Sequence, residues 1–296
     1  MIGPGQLTVR AGWLAGALQE ISVHLERPPA ARLFIGQTPG VVVKTVPYLY
    51  ALCGEAQRAV AARALAVAAG EPARAADDRP LWIECLHEHL WRLLLDWPAA
   101  IGEAPEREVF AAWRNQRHGD RLIQETRYLI DNVLQPMSEK CLAALVDRDT
   151  PAATAPRLDP AGWLAGWRSG VLPLPVRPLS LAAAYRARLA EVATAFAALL
   201  AEHPYPLAAA GGDGWGVAQA PTARGVLTHG VRLADGRVAD YRVWAPTDAY
   251  FADAAALSSL LADVACPTRD MAAYRLTQAV LALDPCVPHV VELQDA

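Results

Sequence analysis

Two stretches of the chain alternate between apolar and polar residues and carry a turn signal at their centre. They are residues 6–25 and residues 225–246, and the second is divided by Asp235-Gly236. Successive side chains of a strand point to opposite faces, and Asp-Gly suits a tight hairpin turn because both positions adopt positive φ. The pattern therefore predicts one β-hairpin near the N-terminus and another in the last third of the chain.

Elsewhere the apolar residues recur every three or four positions, which is the spacing of one helix face. Pro47 interrupts the first such segment, Gly70 follows it as a C-terminal cap would, and Pro98 is expected to end the second. Helices are predicted over 41–69, 82–97, 105–117, 120–146, 181–202, 250–263 and 269–283.

Residues 150–180 differ from the rest because they are rich in proline and glycine. Such a composition favours a long ordered loop or a linker over a regular element. The whole pattern predicts an α+β protein that is mainly α-helical, with hairpins near the N-terminus and before the C-terminal helices. We expect a single domain over residues 1–296, with a possible internal linker around 150–180.

Composition and charge narrow the class of protein. The chain has 296 residues, 53% of them hydrophobic, so it can bury a large core. Its 27 Lys and Arg against 31 Asp and Glu give a formal charge of −4. The sequence has no cluster of basic residues of the kind that binds a phosphate backbone, so nucleic acid is not an expected partner. The sequence has no signal-peptide pattern and no apolar run of roughly 18 residues, so we expect a cytoplasmic protein without membrane insertion.

Five cysteines are spread over the whole chain, which is an odd number and argues against a disulfide framework. In a reducing compartment they are buried small hydrophobes, metal ligands or reactive thiols. Cys85, Cys141 and Cys266 are interpreted as core residues.

The other two cysteines have polar neighbours at short spacing. Cys53 is followed four residues later by Gln57, and the tail carries Asp284, Cys286 and His289. A cysteine and a histidine three apart can ligate a metal or can belong to an unrelated closing segment. The Cys-Gly pair at 53 can be a close-packing point or can let the backbone approach a bulky ligand. Either segment alone leaves both interpretations open.

Two more segments offer charged or hydroxyl groups. "IECLHEHL" contains Glu88, while Arg224 precedes the second hairpin and Pro246-Thr247 follows it. Arginine supplies planar donors for anionic ligands, and threonine supplies a hydroxyl donor. Glu88 could equally lie on a solvated helix face or be a hydrogen-bonded polar residue of the core. Arg224 and Pro246-Thr247 could equally close the turns beside the hairpin.

Taken in order, these segments resemble the large subunit of nickel-iron hydrogenases over essentially the whole chain. That family carries R-x-C-G-x-C-x-x-x-H near one end and D-P-C-x-x-C-x-x-H near the other, and the four thiolates hold nickel and an iron with CO and two cyanides. "YLYALCGEAQ" places Cys53 at an inner cysteine and Gln57 at the histidine, and "DPCVPH" places Cys286 at an outer cysteine. Tyr50 and His289 stand at the two remaining thiolate positions.

The other motifs imply the surroundings of the iron. "LHEHL" is similar to I-H-D-H-I and places Glu88 at the family's active-site aspartate. "APTARG" resembles E-A-P-R-G and places Arg224 over the metal pair, while "YRVWAPTDAY" places Pro246 and Thr247 beside the cyanides. Asp284 takes the position of the aspartate in D-P-C.

The departures from the hydrogenase pattern imply a function. Nickel relies on soft thiolates in a fixed geometry. Because two of the four thiolates are absent, we do not expect a nickel site. This combination resembles the HupK/HoxV-type hydrogenase maturation proteins. The resemblance implies a non-catalytic scaffold that holds the Fe(CN)2CO fragment transiently on Cys53 and Cys286, assisted by His289.

The same resemblance implies the partners. They are a small HypC-type chaperone, a HypD-type assembly protein and the apo large subunit that receives the fragment. Two alternatives belong to other classes: a metal-free interaction protein that recruits maturation factors, and an atypical hydrogenase with substitute ligands.

Overall fold

Two separate β-sheets form in the computed structural model, which describes residues 5–72, 77–145, 157–172, 180–262 and 264–295. The first has the order β2-β1-β7, with β1 antiparallel to β2 and parallel to β7, and the second is the antiparallel meander β3-β4-β5-β6. The strands are β1 (Gln6–Leu14), β2 (Ala17–Glu26), β3 (Ala208–Gly212), β4 (Trp215–Thr222), β5 (Gly225–Ala234), β6 (Arg237–Trp244) and β7 (His289–Asp295).

Helices make up most of the remaining described residues and share one large hydrophobic core with both sheets. They are α1 (Pro39–Leu49), α2 (Gly54–Ala69), α3 (Asp78–Trp91), α4 (Trp97–Ala99), α5 (Arg107–Gln116), α6 (Leu122–Leu129), α7 (Gln135–Ala144), α8 (Pro160–Ser169), α9 (Leu181–Leu200), α10 (Ala255–Leu261) and α11 (Arg269–Leu283). The predicted class, a mainly helical α+β fold with hairpins at both predicted places, is confirmed.

Turn chemistry explains why both hairpins could be predicted. Ala15 and Gly16 have φ of 51° and 80°, and Asp235 and Gly236 have φ of 51° and 72°. Positive φ at both central positions gives a turn whose twist matches that of the flanking strands. The cap at Gly70 is confirmed as well, because this residue has φ 70° and closes the last turn of α2.

Pro47, which was expected to interrupt its helix, lies inside α1, and this helix continues to Leu49. Two further helical stretches continue past a proline, and each does so by widening into a π turn. The turn Arg92–Asp96 lies between α3 and α4 just before Pro98, and the turn Ile130–Leu134 lies between α6 and α7. Proline has no N–H to donate and its ring crowds the preceding turn, so a local change of hydrogen-bond register lets the helix continue. The expectation that Pro98 ends its helix is therefore wrong, since helical structure reaches Ala99.

The interpretation of residues 150–180 as loop or linker is wrong for its central part, because residues 160–169 form α8. Asp159 begins this helix by accepting a hydrogen bond from the backbone N–H of Gly162. Residues 150–156 and 173–179 lie outside the described residues, and the division of the chain at a linker stays a prediction.

The hairpin β3–β4 has no counterpart in the sequence prediction. Its glycines and alanines are weak strand formers, but they allow α2 to pack directly on the sheet. A Cβ at Gly216 would collide with the carbonyl oxygen of Ala64, so only glycine permits this approach. The segment that carries Cys53 and Gln57 is thereby fixed against the meander.

Candidate functional site

The C-terminal half of the site is held between a helix end and a strand. Helix α11 ends at Leu283 and is followed by the cap residue Asp284, which has φ 47° and thus a left-handed conformation that is uncommon outside glycine. After Cys286, the carbonyl of Pro288 accepts a hydrogen bond from the N–H of Leu7 at 2.9 Å, and β7 then pairs in parallel with β1. The tail is therefore anchored on both sides of Cys286.

The sulfur of Cys286 has two polar neighbours. Arg27 donates from Nη2 to Sγ at 3.0 Å, and the Oγ1 of Thr247 lies 3.1 Å from the same sulfur. Arg27 also pairs with Asp248 at 3.0 Å. The predicted neighbour Thr247 is thus brought to Cys286, whereas Arg27 was missed because its place after β2 carries no motif or spacing signal.

Cys53 lies at the other end of the chain and begins α2. Its Sγ accepts a hydrogen bond from Nε2 of Gln57 at 3.5 Å. Burial, followed by the negative charge of Glu84, raises the pKa of the Cys53 thiol to about 12, and the sulfur of Cys286 acts in the same direction. Cys53 is therefore a buried thiol whose sulfur is hydrogen-bonded to Gln57.

Glu84 completes the start of α2 and was not among the predicted site residues. Its carboxylate accepts the backbone N–H groups of Glu55 at 2.7 Å and Ala56 at 2.9 Å, which have no partner within the helix. Burial raises the pKa of Glu84 to about 7 against the effect of these two donors. A carboxyl group that titrates near neutrality therefore lies beside Cys53.

Arg224 joins two elements that the sequence places far apart. Its Nη2 donates to Glu88 on α3 at 2.8 Å, and its Nε lies 3.4 Å from Asp284. Burial favours the neutral form of Glu88, but the hydrogen bond from His87 and the charge of Arg224 outweigh it and hold the pKa of Glu88 below its usual range. The structure thus brings Glu88 and Arg224 together as a buried ion pair.

Asp284 is almost completely buried, and three guanidinium groups surround it. Arg92 from the π turn lies at 2.7 Å, Arg188 from α9 at 2.9 Å, and Arg224 is the third. Burial alone would raise the pKa of Asp284, but the three positive charges hold it well below the usual range. The conformation of the tail before Cys286 is thus fixed by buried charge pairs.

Pro246 and Thr247 follow β6, with Ala245 between the strand and Pro246. Thr247 is 1% exposed, and a Cβ at Gly225, which has φ 120°, would come within 3.1 Å of the Cβ of Pro246. Glycine at 225 therefore lets the start of β5 lie against this proline. Both predicted residues sit beside the Cys286 half of the site.

The two positions without a thiolate have different surroundings. Burial raises the pKa of Tyr50 to about 12, and the charges that act on this hydroxyl belong to Arg27, Asp248 and Cys286. His289 begins β7, and burial together with the charge of Arg92 lowers its pKa. The charged groups that act on Tyr50 are thus those around Cys286, whereas Arg92 and Asp284, which act on His289, belong to the Asp284 cluster.

The candidate site combines two thiols, which are possible metal ligands, with side chains that donate hydrogen bonds. Among the residues that the structure describes, no three or more His, Cys, Asp or Glu side chains gather in a group that could hold a metal ion. Within the described part of the chain, the buried Nε atoms of Arg27 and Arg224 make no hydrogen bond, although that of Arg224 lies 3.4 Å from its ion-pair partner Asp284. Chemically, the residues of the candidate site offer two soft ligands and buried cationic donors for an anionic or strongly accepting group.

Three cysteines lie outside this site, as predicted. Cys141 and Cys266 are fully buried, and Cys85 is partly buried against the main core. In the described ranges no helix is both long and apolar enough to cross a membrane.

The chain is similar to solved hydrogenases in fold. It superimposes on the nickel-iron-selenium hydrogenase of D. vulgaris Hildenborough with a TM-score of 0.63 at 12% identity, covering 92% of this chain and 94% of that one. An NAD+-reducing [NiFe]-hydrogenase gives a TM-score of 0.55 at 14% identity, with coverage of 92% and 93%. The fold therefore places this protein in the class built like a nickel-iron hydrogenase large subunit.

Curated relatives define the family within that class. The chain is 30% identical to the hydrogenase expression/formation protein HupV of Azotobacter chroococcum mcd 1 over 98% of both chains, and 29% identical to HupK of Azotobacter vinelandii over 99% of both. HoxV of Cupriavidus necator is 27% identical over 99% of this chain and 96% of its own. This protein belongs to the HupK/HupV/HoxV family of hydrogenase expression/formation proteins. No family model matches the sequence.

Proposed function

We propose that this protein is a non-catalytic scaffold of nickel-iron hydrogenase maturation, which binds the Fe(CN)2CO fragment transiently and passes it to an apo large subunit. The carrying observation is the Cys286 sulfur with Nη2 of Arg27 and Oγ1 of Thr247 at 3.0 and 3.1 Å. Thiolates are soft ligands suited to such an iron. Its cyanide nitrogens are acceptors for the buried guanidinium N–H groups.

The donor set also supports release over permanent retention. Tyr50 and His289 occupy positions at which the hydrogenase pattern has thiolates, so the site offers two thiols in place of four. Fewer soft ligands hold the iron less firmly and give nickel no complete site. A fragment held by two thiolates and by hydrogen bonds to its cyanides can be lost to a partner that offers more.

The proposal names the partners as classes of protein. A HypC-type chaperone with a HypD-type assembly protein would deliver the fragment, and the apo large subunit would receive it. The names of the relatives, which are hydrogenase expression/formation proteins, support a role in assembly. We place the exchange in the cytoplasm, in keeping with five cysteines that are all free.

Infrared spectroscopy tests the proposal because CO and cyanide stretches fall in a window free of protein bands. The protein is purified without oxygen from a host that expresses the maturation genes, alongside Cys53→Ala and Cys286→Ala. We expect CO and cyanide bands in the wild type, their loss in both variants, and their retention in Cys266→Ala, a buried cysteine outside the candidate site. A wild type without bands would overturn the proposal.

A second candidate function is a metal-free interaction protein that uses the large-subunit fold to recruit maturation factors. The observation in its favour is that the described residues gather no group of three metal-binding side chains. Under this alternative, the double variant Cys53→Ala, Cys286→Ala binds its partners and supports hydrogenase maturation like the wild type. Loss of maturation with partner binding intact would instead favour the scaffold.

A further inference from the structure

A buried chain of hydrogen bonds leads from β6 to Cys53. The hydroxyl of Tyr241 lies 2.7 Å from Nδ1 of His229, and Nε2 of His229 lies 2.8 Å from Oε1 of Gln57. The amide nitrogen of Gln57 then lies 3.5 Å from the sulfur of Cys53. Tyr241 and Gln57 are 3% exposed and His229 is 0% exposed, so water does not compete for these bonds.

With the oxygen of Gln57 toward His229 and its nitrogen toward Cys53, the chemistry of the other groups fixes the direction of these hydrogen bonds. Oε1 of Gln57 can only accept, so Nε2 of His229 must carry the proton that it donates. Burial lowers the pKa of His229 to about 3, so the ring is neutral at pH 7 and its Nδ1 has a free lone pair. The hydroxyl of Tyr241 therefore donates to that nitrogen. Each donor in the chain points toward Cys53.

This direction matches a sulfur that is bound to a metal. A free thiol can donate its proton, and it would be served equally by the opposite direction, with the oxygen of Gln57 facing the sulfur. A metal-bound thiolate has no proton and can only accept, so it requires the amide N–H on its side. The orientation that Gln57 has in the structure, with its amide nitrogen toward Cys53 and its oxygen toward His229, is thus the one that suits a ligated Cys53.

We propose that His229 and Tyr241 are positioning residues that aim the amide N–H of Gln57 at the sulfur of Cys53 and thereby tune its bond to the bound iron. An N–H donor withdraws electron density from a thiolate, which weakens its donation to iron and favours release. The inference rests on the proposed function and extends it to residues behind the cysteine. Partners of this kind, outside the ligand shell, orient ligands and tune the metal.

Two variants interrupt the series of hydrogen bonds from Tyr241 to Cys53 at different points, and a third variant serves as control. Tyr241→Phe removes only the hydroxyl, and Gln57→Leu removes the donor to sulfur. Tyr185→Phe removes the hydroxyl of a fully buried tyrosine that packs against Trp97, away from this chain. Far-UV circular dichroism and unfolding curves verify that each variant folds.

The first measurement is the CO stretch of protein loaded in the host. Stronger thiolate donation increases back-donation from iron into CO, so we expect the band at lower wavenumber in Gln57→Leu, with a smaller shift in the same direction in Tyr241→Phe. Transfer to an apo large subunit should be slower in the same order. Tyr185→Phe should match the wild type, and an unshifted band in Gln57→Leu would overturn the inference while leaving the scaffold function intact.

The second measurement uses unloaded protein and does not depend on the cargo. Nitrogen-15 NMR of labelled histidine should show His229 protonated at Nε2 and unprotonated at Nδ1. The amide resonances of Gln57 should shift in Cys53→Ala. A proton on Nδ1 would show the opposite direction and overturn the inference, as would a Gln57 signal that ignores Cys53. Wild type without CO bands would remove the scaffold function and the tuning role together, whatever the NMR result.

Discussion

Arg27 connects the first hairpin with the cysteine near the other end of the chain. Its guanidinium reaches Cys286 and Asp248, each at 3.0 Å. A hydrogen bond to a charged group contributes about 1.5–3 kcal/mol, which corresponds to roughly a tenfold change in affinity or more. The sequence gives no sign of this role, because the contact joins residues 259 positions apart.

Replacing Arg27 therefore tests the Cys286 half of the site. Arg27→Met keeps the length of the side chain but removes the donors, and we expect it to retain about one tenth of the Fe(CN)2CO fragment or less. The measurement is the intensity of the CO band per protein after gel filtration. Arg58→Met is the control, since Arg58 makes an exposed pair with Glu55. Equal band intensities in both variants would show that Arg27 does not hold the cargo.

His229 makes stability depend on pH. Its pKa is about 3 in the folded protein against an ordinary value of 6.5, so the unfolded chain binds the extra proton first. This ring therefore leaves the free energy of unfolding unchanged above about pH 6.5. As the pH falls from about 6.5 to about 3, it lowers the free energy of unfolding by up to about 1.4 kcal/mol per pH unit.

Urea unfolding between pH 7 and pH 4 measures this slope. In His229→Asn the free energy of unfolding should fall less steeply over that range, because the titrating ring is gone. His24→Asn, at an exposed histidine on β2, should keep the slope of the wild type. The same slope in all three proteins would contradict a buried neutral ring.

At the scale of elements, the end of α11 depends on Asp284 and its three arginines. Asp284→Asn leaves buried guanidinium groups without their counter-charge, which costs about 3–5 kcal/mol in such clusters. We expect a loss of this size in the free energy of urea unfolding. Asp240→Asn, in an exposed pair with Arg242, should cost no more than about 1 kcal/mol. Similar small losses in both variants would argue against the charge cluster as the anchor of the tail.

The start of α2 depends on Glu84 in the same way. Glu84→Ala leaves the N–H groups of Glu55 and Ala56 without an acceptor, and we expect a loss of about 1–2 kcal/mol, the usual effect of deleting a helix cap. Glu103→Ala, which removes an exposed partner of Lys140, is the matched surface control. Urea unfolding of the two variants decides the point, and equal stabilities would rule out the cap.

The elements also show what local sequence can predict. The two hairpins with positive-φ turns follow from turn chemistry, and the long helix α9 follows from periodicity. Their predicted bounds agree with the observed ones to within a few residues. The hairpin β3–β4 is built from small residues whose strand conformation depends on packing against α2, and β7 depends on pairing with β1. Those two elements form through contacts distant in sequence, which no local pattern encodes.

At the scale of the whole molecule, the candidate site is assembled from both ends of the chain. The resemblance to hydrogenase motifs predicted Cys53, Cys286, Arg224 and Thr247, and the fold brings the last two to the cysteine segments. Arg27, Glu84 and the pair His229 and Tyr241 were missed as site residues, because their roles arise only from the folded arrangement. A metal ligand set of Cys53, Cys286 and His289 stays a prediction.

The central claim is that the protein passes its cargo on, and transfer can be observed directly. Tagged protein loaded with Fe(CN)2CO is mixed without oxygen with an apo large subunit, and the two are then separated and their infrared spectra recorded. We expect the CO and cyanide bands to disappear from the scaffold and to appear in the large subunit. Bands that stay on the scaffold, or that never occur there, would contradict the account.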